Sequence, residues 1–199
     1  MIGITQRLEE NPSYYEIREA LSCEWGEFFG DRDFLPLSYS VPFERYAHKI
    51  NAVIFSGGND LFTLNPHPLN QKRDSYETKI IRYCLTNKLP LLGVCRGAQM
   101  IAHFFGATLQ AKNHHITPAH PITLTQNNTT YEVNSYHQFA ITHLSDDLIA
   151  LATAGDGSIE AYKHISLPIF GMMWHIEREK SRSLPSQMIW EKFLKEVKK

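Results

Sequence analysis

The sequence predicts one α/β domain of three layers, with a mostly parallel central sheet, flanking helices and an additional antiparallel β section. In the first half of the chain, short apolar runs typical of buried strands alternate with amphipathic segments of helical period. From Thr108 onward the segments are short, bounded by turns and partly alternating in polarity. The 199 residues suffice for one sizeable core and are few for two domains, so we expect a single domain over residues 1–199.

The elements follow from apolar period and from the glycines and prolines that bound them. In order, the sequence predicts a strand at 1–5, a helix at 14–30 ending on Gly30, a strand at 34–40, a short helix at 42–50, a strand at 51–58, a helix at 74–89, a strand at 90–94 and a helix at 98–105. Further strands are predicted at 122–128, 129–135, 148–157, 158–164 and 168–175, and an amphipathic helix with lysines in its last turn at 185–199.

Composition excludes several classes of partner. The formal net charge is −1 and no apolar run approaches the roughly 18 residues of a spanning helix, so neither nucleic acid nor a membrane is expected as a partner. The N-terminus shows no secretory leader, and three cysteines without a CxxC spacing predict no disulfide framework. A cytoplasmic protein is expected, with Cys84 in the core and Cys23 half-buried on a helix.

Cys95 lies between Gly93 and Gly97, where the apolar run 91–94 meets a helical segment. A sharp strand-to-helix turn would project the thiol into a cleft, and the helix N-terminus would favour its thiolate form. The backbone N–H of Arg96 could then face a developing oxyanion. The alternative is a buried thiol at an ordinary junction, because free cysteine is among the most buried residue types.

Three further segments carry groups that a nucleophile needs. His175 and Glu177 are two residues apart, so a strand would place both on one face as a base and its orienting carboxylate. Gly57 and Gly58 follow an apolar strand and allow backbone N–H groups to approach a ligand closely. A polar cluster occupies 134–138. Taken singly, each segment has another interpretation. His175 and Glu177 fit a strand leading into a charged loop, Gly57 and Gly58 fit a tight turn, and 134–138 fits a surface loop.

Taken together and in order, "SGGND", "GVCRGAQ", "VNSYHQ" and "MWHIE" resemble the class I (triad) glutamine amidotransferases. The resemblance is strongest to the free-standing γ-glutamyl hydrolase branch, which includes γ-glutamyl-γ-aminobutyrate hydrolase. It implies a flavodoxin-like domain with a Cys95–His175–Glu177 triad and an oxyanion hole from the backbone of Gly58 and Arg96. It also implies that the glutamyl group is bound by Gly57, Gln99, Asn134, Ser135 and Tyr136.

The resemblance further implies hydrolysis of a γ-glutamyl amide through a thioester, with no cofactor. Overall similarity, including "MWHIERE" and the unusual segment 12–40, favours the hydrolases of γ-glutamyl-CDP-amidate in capsular phosphoramidate biosynthesis. Cations available for a diphosphate are Arg7, Arg32, Lys72 and Arg73. The alternatives are a γ-glutamyl-aminobutyrate or polyamine hydrolase, a glutaminase subunit that delivers ammonia to a partner synthase, and an oxidation sensor on the same scaffold. Arg96 and "SGGND" favour a hydrolase over a synthase subunit.

The histidines His114, His115 and His120 invite a comparison with metal sites. Their spacing fits no common zinc pattern, no cysteine or acidic residue lies nearby in the sequence, and the triad chemistry needs no metal. The sequence therefore predicts no metal site.

Overall fold

The computed structural model describes residues 1–197, which form thirteen strands, five α-helices and one 3₁₀ turn. The elements in chain order are β1 (Ile2–Thr5), β2 (Arg7–Glu10), β3 (Ile17–Ala20), α1 (Glu24–Phe29), β4 (Phe34–Leu37), α2 (Glu44–Ala47), β5 (Ala52–Phe55), α3 (Pro68–Asn87), β6 (Leu91–Val94), α4 (Arg96–Phe104), β7 (Thr108–Ala111), β8 (Ile116–Leu124), β9 (Thr130–Tyr136), β10 (Phe139–His143), β11 (Leu148–Ala154), β12 (Ile159–His164), β13 (Ile169–Met172), the 3₁₀ turn (Ile176–Arg178) and α5 (Leu184–Val197).

Eleven of the strands form one mixed sheet. Its parallel half has the order β4-β1-β5-β6-β13, and β12, β11, β8 and β9 continue it antiparallel. β10 pairs with β12 and with β7. The predicted antiparallel section is therefore part of the same sheet as the parallel strands.

Both faces of the sheet are covered by helices. The strands β1, β5 and β6 are buried at every position, as strands packed on both faces must be. One apolar cluster joins the sheet to α3 and α4, and includes Ile80, Ile81 and Cys84. A second cluster on the opposite face contains Trp25 of α1 and Trp190 of α5. The predicted three-layer fold is confirmed.

The predicted helix at 14–30 is wrong over its first half. Residues Ile17–Ala20 form β3, which pairs antiparallel with β2, and only Glu24–Phe29 is helical. The side chain of Asn11 accepts a hydrogen bond from the backbone N–H of Ser13 at 3.0 Å, so an Asn-Pro-Ser turn closes this hairpin. Cys23 lies before α1 and is exposed rather than half-buried.

Other helix boundaries also differ: α2 is shorter than the predicted 42–50, and α4 begins two residues before the predicted 98. α3 begins at Pro68 instead of at residue 74, because proline suits the first helical position and His67 accepts a hydrogen bond from the N–H of Leu69. α5 begins at Leu184 and is described to Val197; the last two lysines of the predicted helix, 198–199, lie outside the described residues. Within residues 1–197, no helix has both the length and the apolar character needed to cross a membrane.

Candidate active site

Three segments predicted to carry chemistry meet at one edge of the sheet. The parallel strands β5, β6 and β13 are neighbours, and their carboxyl ends lead into Gly57, Cys95 and His175 respectively. Ligand sites of open α/β sheets form at this edge, where loops from adjacent strands converge. Sheet order, and not proximity in the sequence, therefore assembles the candidate site.

Cys95 occupies the sharp strand-to-helix turn that the sequence predicts. Its backbone has φ 52° and ψ −111°, which is strained for a residue with a Cβ, and its N–H donates to Met172 O at 2.8 Å. A Cβ on Gly97 would lie 2.1 Å from the carbonyl oxygen of Phe55, so only glycine fits there. The thiol is buried, yet Cys95 lines a cavity. The structure favours the elbow over an ordinary junction.

His175 and Glu177 form the predicted pair, but not as neighbours on a strand. β13 ends at Met172, His175 is extended, and Glu177 lies on the 3₁₀ turn. The turn brings His175 Nδ1 within 2.6 Å of Glu177 Oε1. Asn134 on β9 fixes the backbone beside them, because its side chain donates to His175 O and accepts from His175 N, both at 2.9 Å. The predicted strand at 168–175 therefore ends early, at Met172, and does not carry His175 or Glu177, although the predicted contact between these two residues is present.

The environment of His175 favours a protonated imidazole. Burial alone would lower its pKa, but the charge and hydrogen bond of Cys95, followed by those of Glu177, outweigh burial and raise the pKa to about 10. Since Nδ1 is bound to Glu177, Nε2 is left for the thiol. A Cβ on Gly57 would lie 2.7 Å from His175 Cε1, so this glycine allows the ring to pack against the loop.

We expect the substitution Glu177→Gln to lower the pKa of His175, because a neutral amide stabilises the imidazolium less than a carboxylate. The His175 Cε1–H resonance, followed by NMR against pH, should titrate near pH 10 in the unmodified protein and at lower pH in the variant. The raised pKa stabilises the fold fully below about pH 6.5, and this contribution disappears as pH rises through about 10. Glu132→Gln, an exposed glutamate, is the control; an unchanged midpoint in Glu177→Gln would contradict the assignment.

A buried arginine holds the glycine loop that faces Cys95. Arg73 of α3 donates to the carbonyl oxygens of Ser56, Gly57 and Gly58 and is fully buried. In a trans peptide the C=O and the following N–H point in opposite directions, and no cis peptide is present among the described residues. The N–H of Gly58 is therefore directed away from the guanidinium that holds the Gly57 carbonyl.

The guanidinium of Arg96 is not available to a ligand. It is buried and pairs with Asp74 and Glu77, and Glu77 also accepts from Arg73 Nε at 3.1 Å. Arg96 nevertheless lines the cavity beside Cys95, as Gly57 and Gly58 do. The predicted use of its backbone N–H fits this arrangement.

The cavity around Cys95 has a volume of about 440 Å³. It is lined by Gln99 and Tyr136, two of the residues predicted to bind a glutamyl group, but not by Asn134 or Ser135. The side chain of Asn134 is bound to His175, and the hydroxyl of Ser135 donates to His115 O at 2.5 Å. These two side chains support the wall of the cavity rather than forming its surface.

Several residues at the cavity or behind its wall have roles that the sequence does not predict. Arg178 lines it and lies 5.2 Å from the ring centre of Tyr136. Arg73 and Glu77 lie four residues apart on the same apolar stripe of α3 as Ile80 and Cys84. A charged pair within an otherwise apolar stripe is the sequence feature that could have indicated this buried ion-pair network. Of the four cations proposed for a diphosphate, only Arg7 lines the cavity.

The exclusion of a metal site from the sequence rested partly on an incorrect premise. Glu160 of β12 lies within 3.3 Å of His115 and 3.4 Å of His120, so an acidic residue is present in space although not in the local sequence. A third histidine, His137, lies 3.6 Å from the same carboxylate. His114 is exposed and is not part of this cluster around Glu160.

The flavodoxin-like sheet and the cysteine elbow beside a His–Glu pair are features of class I glutamine amidotransferase-like hydrolases. The chain belongs to the peptidase C26 family, whose sequence profile matches residues 34–177. It is 50% identical over 183 residues to γ-glutamyl-CDP-amidate hydrolase of Campylobacter jejuni, covering 89% of this chain and 90% of that protein. The family predicted from the four motifs is confirmed.

Solved structures support the fold. A candidate GMP synthase component from Thermoplasma acidophilum superposes with a TM-score of 0.74 at 18% identity, over 100% of this chain and 94% of that one. A glutamine amidotransferase from Thermotoga maritima superposes with a TM-score of 0.67 at 17% identity, over 99% of this chain and 83% of that one. At these identities the likeness concerns the fold alone.

Proposed function

We propose that this protein hydrolyses γ-glutamyl-CDP-amidate to L-glutamate and cytidine diphosphoramidate. The observation that carries the proposal is the 50% identity, over nearly the whole of both chains, to a relative of that name. The arrangement of Cys95, His175 and Glu177 in one cavity supplies the groups that such a reaction needs.

In the proposed reaction the Cys95 thiolate attacks the δ-carbonyl carbon of the γ-glutamyl group. The backbone N–H groups of Gly58 and Arg96 stabilise the oxyanion. The protonated His175 donates to the departing nitrogen, so cytidine diphosphoramidate leaves and a γ-glutamyl thioester remains. Neutral His175 then takes a proton from water, the resulting hydroxide attacks the thioester, and glutamate leaves as the thiolate is restored. One water is consumed and no cofactor takes part.

The cavity also suits a substrate larger than free glutamine. Its volume of about 440 Å³ lies within the range of roughly 300–1,000 Å³ typical of ligand pockets. Arg7 and Arg178 line it, and guanidinium groups bind phosphate oxygens well. Asn59 ties the β2 strand that carries Arg7 to the glycine loop, through bonds to Leu8 N at 2.9 Å and Leu8 O at 3.0 Å. We assign these two arginines to the diphosphate.

A panel of γ-glutamyl amides tests the proposal. The unmodified protein is assayed with γ-glutamyl-CDP-amidate, γ-glutamyl-γ-aminobutyrate, a γ-glutamyl polyamine and glutamine, with product pairs identified by mass spectrometry. We expect kcat/KM for the nucleotide amide to exceed the others by about tenfold or more. Arg7→Ala with Arg178→Ala should raise KM for that amide alone, whereas exposed Arg32→Ala should not. A preference for aminobutyrate or polyamine amides would reject the substrate, and glutamine turnover only with a partner synthase would reject the free-standing hydrolase.

A further inference from the structure

A second cluster of buried polar side chains lies beside the cavity, in the antiparallel half of the sheet. His115 precedes β8, His120 is on β8, His137 follows β9 and Glu160 is on β12. All four are buried, and the Glu160 side chain is fully so. The rings of His120 and His137 lie 4.6 and 4.8 Å from that of His115. None of the four has a part in the proposed hydrolysis.

Hydrogen bonds fix the orientation of two of the imidazoles. His137 Nδ1 lies 3.0 Å from the carbonyl oxygen of Phe139, which can only accept, so Nδ1 carries a hydrogen. His115 Nε2 likewise lies 3.3 Å from the carboxylate of Asp156. In the neutral rings, His137 Nε2 and His115 Nδ1 therefore carry lone pairs, and both face Glu160.

The atoms that converge on the centre of the cluster lack hydrogen-bond partners. His115 Nδ1, His120 Nε2, His137 Nε2 and both carboxylate oxygens of Glu160 are buried, and none makes a hydrogen bond. Unsatisfied buried polar atoms are rare, and five at one point require an explanation. Lone pairs directed at a carboxylate repel one another unless a positive centre lies between them. A proton on His115 would satisfy its own contact with Glu160 but leave His120 Nε2 and His137 Nε2 unpaired, and protonating all three rings would bury three positive charges against one carboxylate, which is costly.

We propose that His115, His120 and Glu160, with His137 as the candidate fourth ligand, bind a divalent transition metal, with Zn²⁺ the best fit. Zinc takes four ligands tetrahedrally at about 2.0–2.2 Å, which places neighbouring ligand atoms about 3.3–3.5 Å apart. His115 Nδ1 and His120 Nε2 lie 3.3 and 3.4 Å from Glu160 Oε1, and these three residues bring ligand atoms within 4.8 Å of one another. His137 Nε2 lies 3.6 Å from the other oxygen, Oε2, at the margin of this group. Three nitrogen ligands favour zinc over magnesium or calcium, which prefer oxygen.

The groups behind the ligands also suit a metal site. A metal-bound histidine commonly donates its second N–H to a carboxylate or a backbone carbonyl, which fixes the ring and raises its basicity. Asp156 supplies the carboxylate for His115 and Phe139 the carbonyl for His137. The outer partners expected of a histidine metal site are therefore present for two of the three rings.

The position of the site indicates a structural role. His115, His120 and Glu160 supply three ligands, and His137 as the fourth would complete a tetrahedral zinc site with no open position for substrate. The ion would tie β8, the end of β9 and β12 together behind the cavity wall. That wall includes Tyr136 and His137, and β9 also carries Asn134, which holds the His175 backbone. The metal would thus stabilise the support of the candidate active site.

Metal analysis tests the site in the Cys95→Ala background, because a thiolate beside an imidazole can itself bind zinc. We expect Cys95→Ala protein to retain about one Zn²⁺ per chain after gel filtration, and Zn²⁺ to raise its Tm. Adding His120→Asn or Glu160→Gln should weaken zinc binding at least about 10-fold and abolish the Tm shift. Adding His114→Gln, the exposed neighbour of His115, should change neither. Co²⁺ should give the visible absorption of a four-coordinate site.

Two results would overturn the proposal. One is failure of the Cys95→Ala protein to bind zinc, whether or not the unmodified protein binds it, and the other is equal zinc content in the His114→Gln and His120→Asn proteins. Should the Glu160 variant fail to fold, His120→Asn decides the question, because the His120 side chain is less buried than that of Glu160, at 9% against 0% exposed. Zinc content and Tm do not depend on the substrate, so failure here leaves the proposed hydrolysis untouched.

Discussion

Replacing Cys95 by alanine should reduce glutamate release from γ-glutamyl-CDP-amidate by at least about 10³-fold, because the proposed thioester cannot form. The fold should persist. Alanine keeps the same Cβ, so it adds no strain at φ 52°, and only a buried sulfur is lost. Activity is measured as glutamate released, and the fold by circular dichroism and urea unfolding.

The other two cysteines provide matched controls for this experiment. Cys84 is buried on α3, and burial raises the pKa of its thiol, so Cys84→Ala should cost some stability but no activity. Cys23 is exposed and lies outside the cavity, so Cys23→Ala should affect neither. In the Cys23→Ala background, iodoacetamide should modify Cys95 and inactivate the protein.

Two outcomes would reject the assignment of Cys95 as the nucleophile. One is a Cys95→Ala protein that retains a tenth or more of the activity, and the other is inactivation by iodoacetamide without labelling of Cys95. If the unmodified protein releases glutamate from none of the γ-glutamyl amides while Cys95 is still labelled, the oxidation-sensor alternative is favoured. That alternative needs a reactive thiol but gives no reason for the His175–Glu177 contact of 2.6 Å.

The elbow could be predicted because its determinants are local. An apolar strand, two glycines and a helical segment are contiguous in the sequence, and together they dictate the turn at Cys95. The contact between His175 and Glu177 was also predictable, since two residues so close in sequence meet in more than one backbone conformation. The 3₁₀ turn that brings them together depends on packing that the sequence pattern does not reveal.

The features that the sequence does not predict depend on contacts between segments that are far apart in the sequence. The sequence predicts helix where β3 forms, because helical propensity in 14–30 is overridden by pairing with β2 that the sequence does not reveal. Glu160 reaches three histidines only because the sheet order sets β12 near β8 and the end of β9. Asn134 contacts His175 although β9 and β13 are not neighbours in the sheet. Such pairings follow from topology, which a single sequence determines only in outline.

The buried network of α3 gives the second large effect. Glu77 accepts from Arg73 and from Arg96, and the side chains of all three residues are at most 2% exposed. Removing one partner of a buried ion pair leaves an uncompensated charge, so Glu77→Ala should lower the free energy of unfolding by about 3–5 kcal/mol. That is a large fraction of the roughly 5–15 kcal/mol typical of a folded protein.

The same substitution should also slow the reaction in the molecules that remain folded. Arg73 holds the carbonyls of Ser56, Gly57 and Gly58, and its own position depends on Glu77. Loosening Arg73 would displace the N–H of Gly58, and loss of one oxyanion donor typically costs about 10²–10³ in kcat. The loss should appear in kcat more than in KM, because the donor acts on the transition state.

Urea unfolding and steady-state kinetics at low temperature separate the two effects. Glu77→Gln keeps the shape and one acceptor, so it should fall between Glu77→Ala and the unmodified protein in stability. Glu191→Ala removes an exposed glutamate from α5 and should leave the unfolding midpoint and kcat unchanged. If the free energy of unfolding of Glu77→Ala is within about 0.5 kcal/mol of that of the unmodified protein, the buried charges are not coupled as the contacts indicate. If stability falls but kcat of the folded fraction does not, Arg73 stabilises the fold without positioning the oxyanion donor.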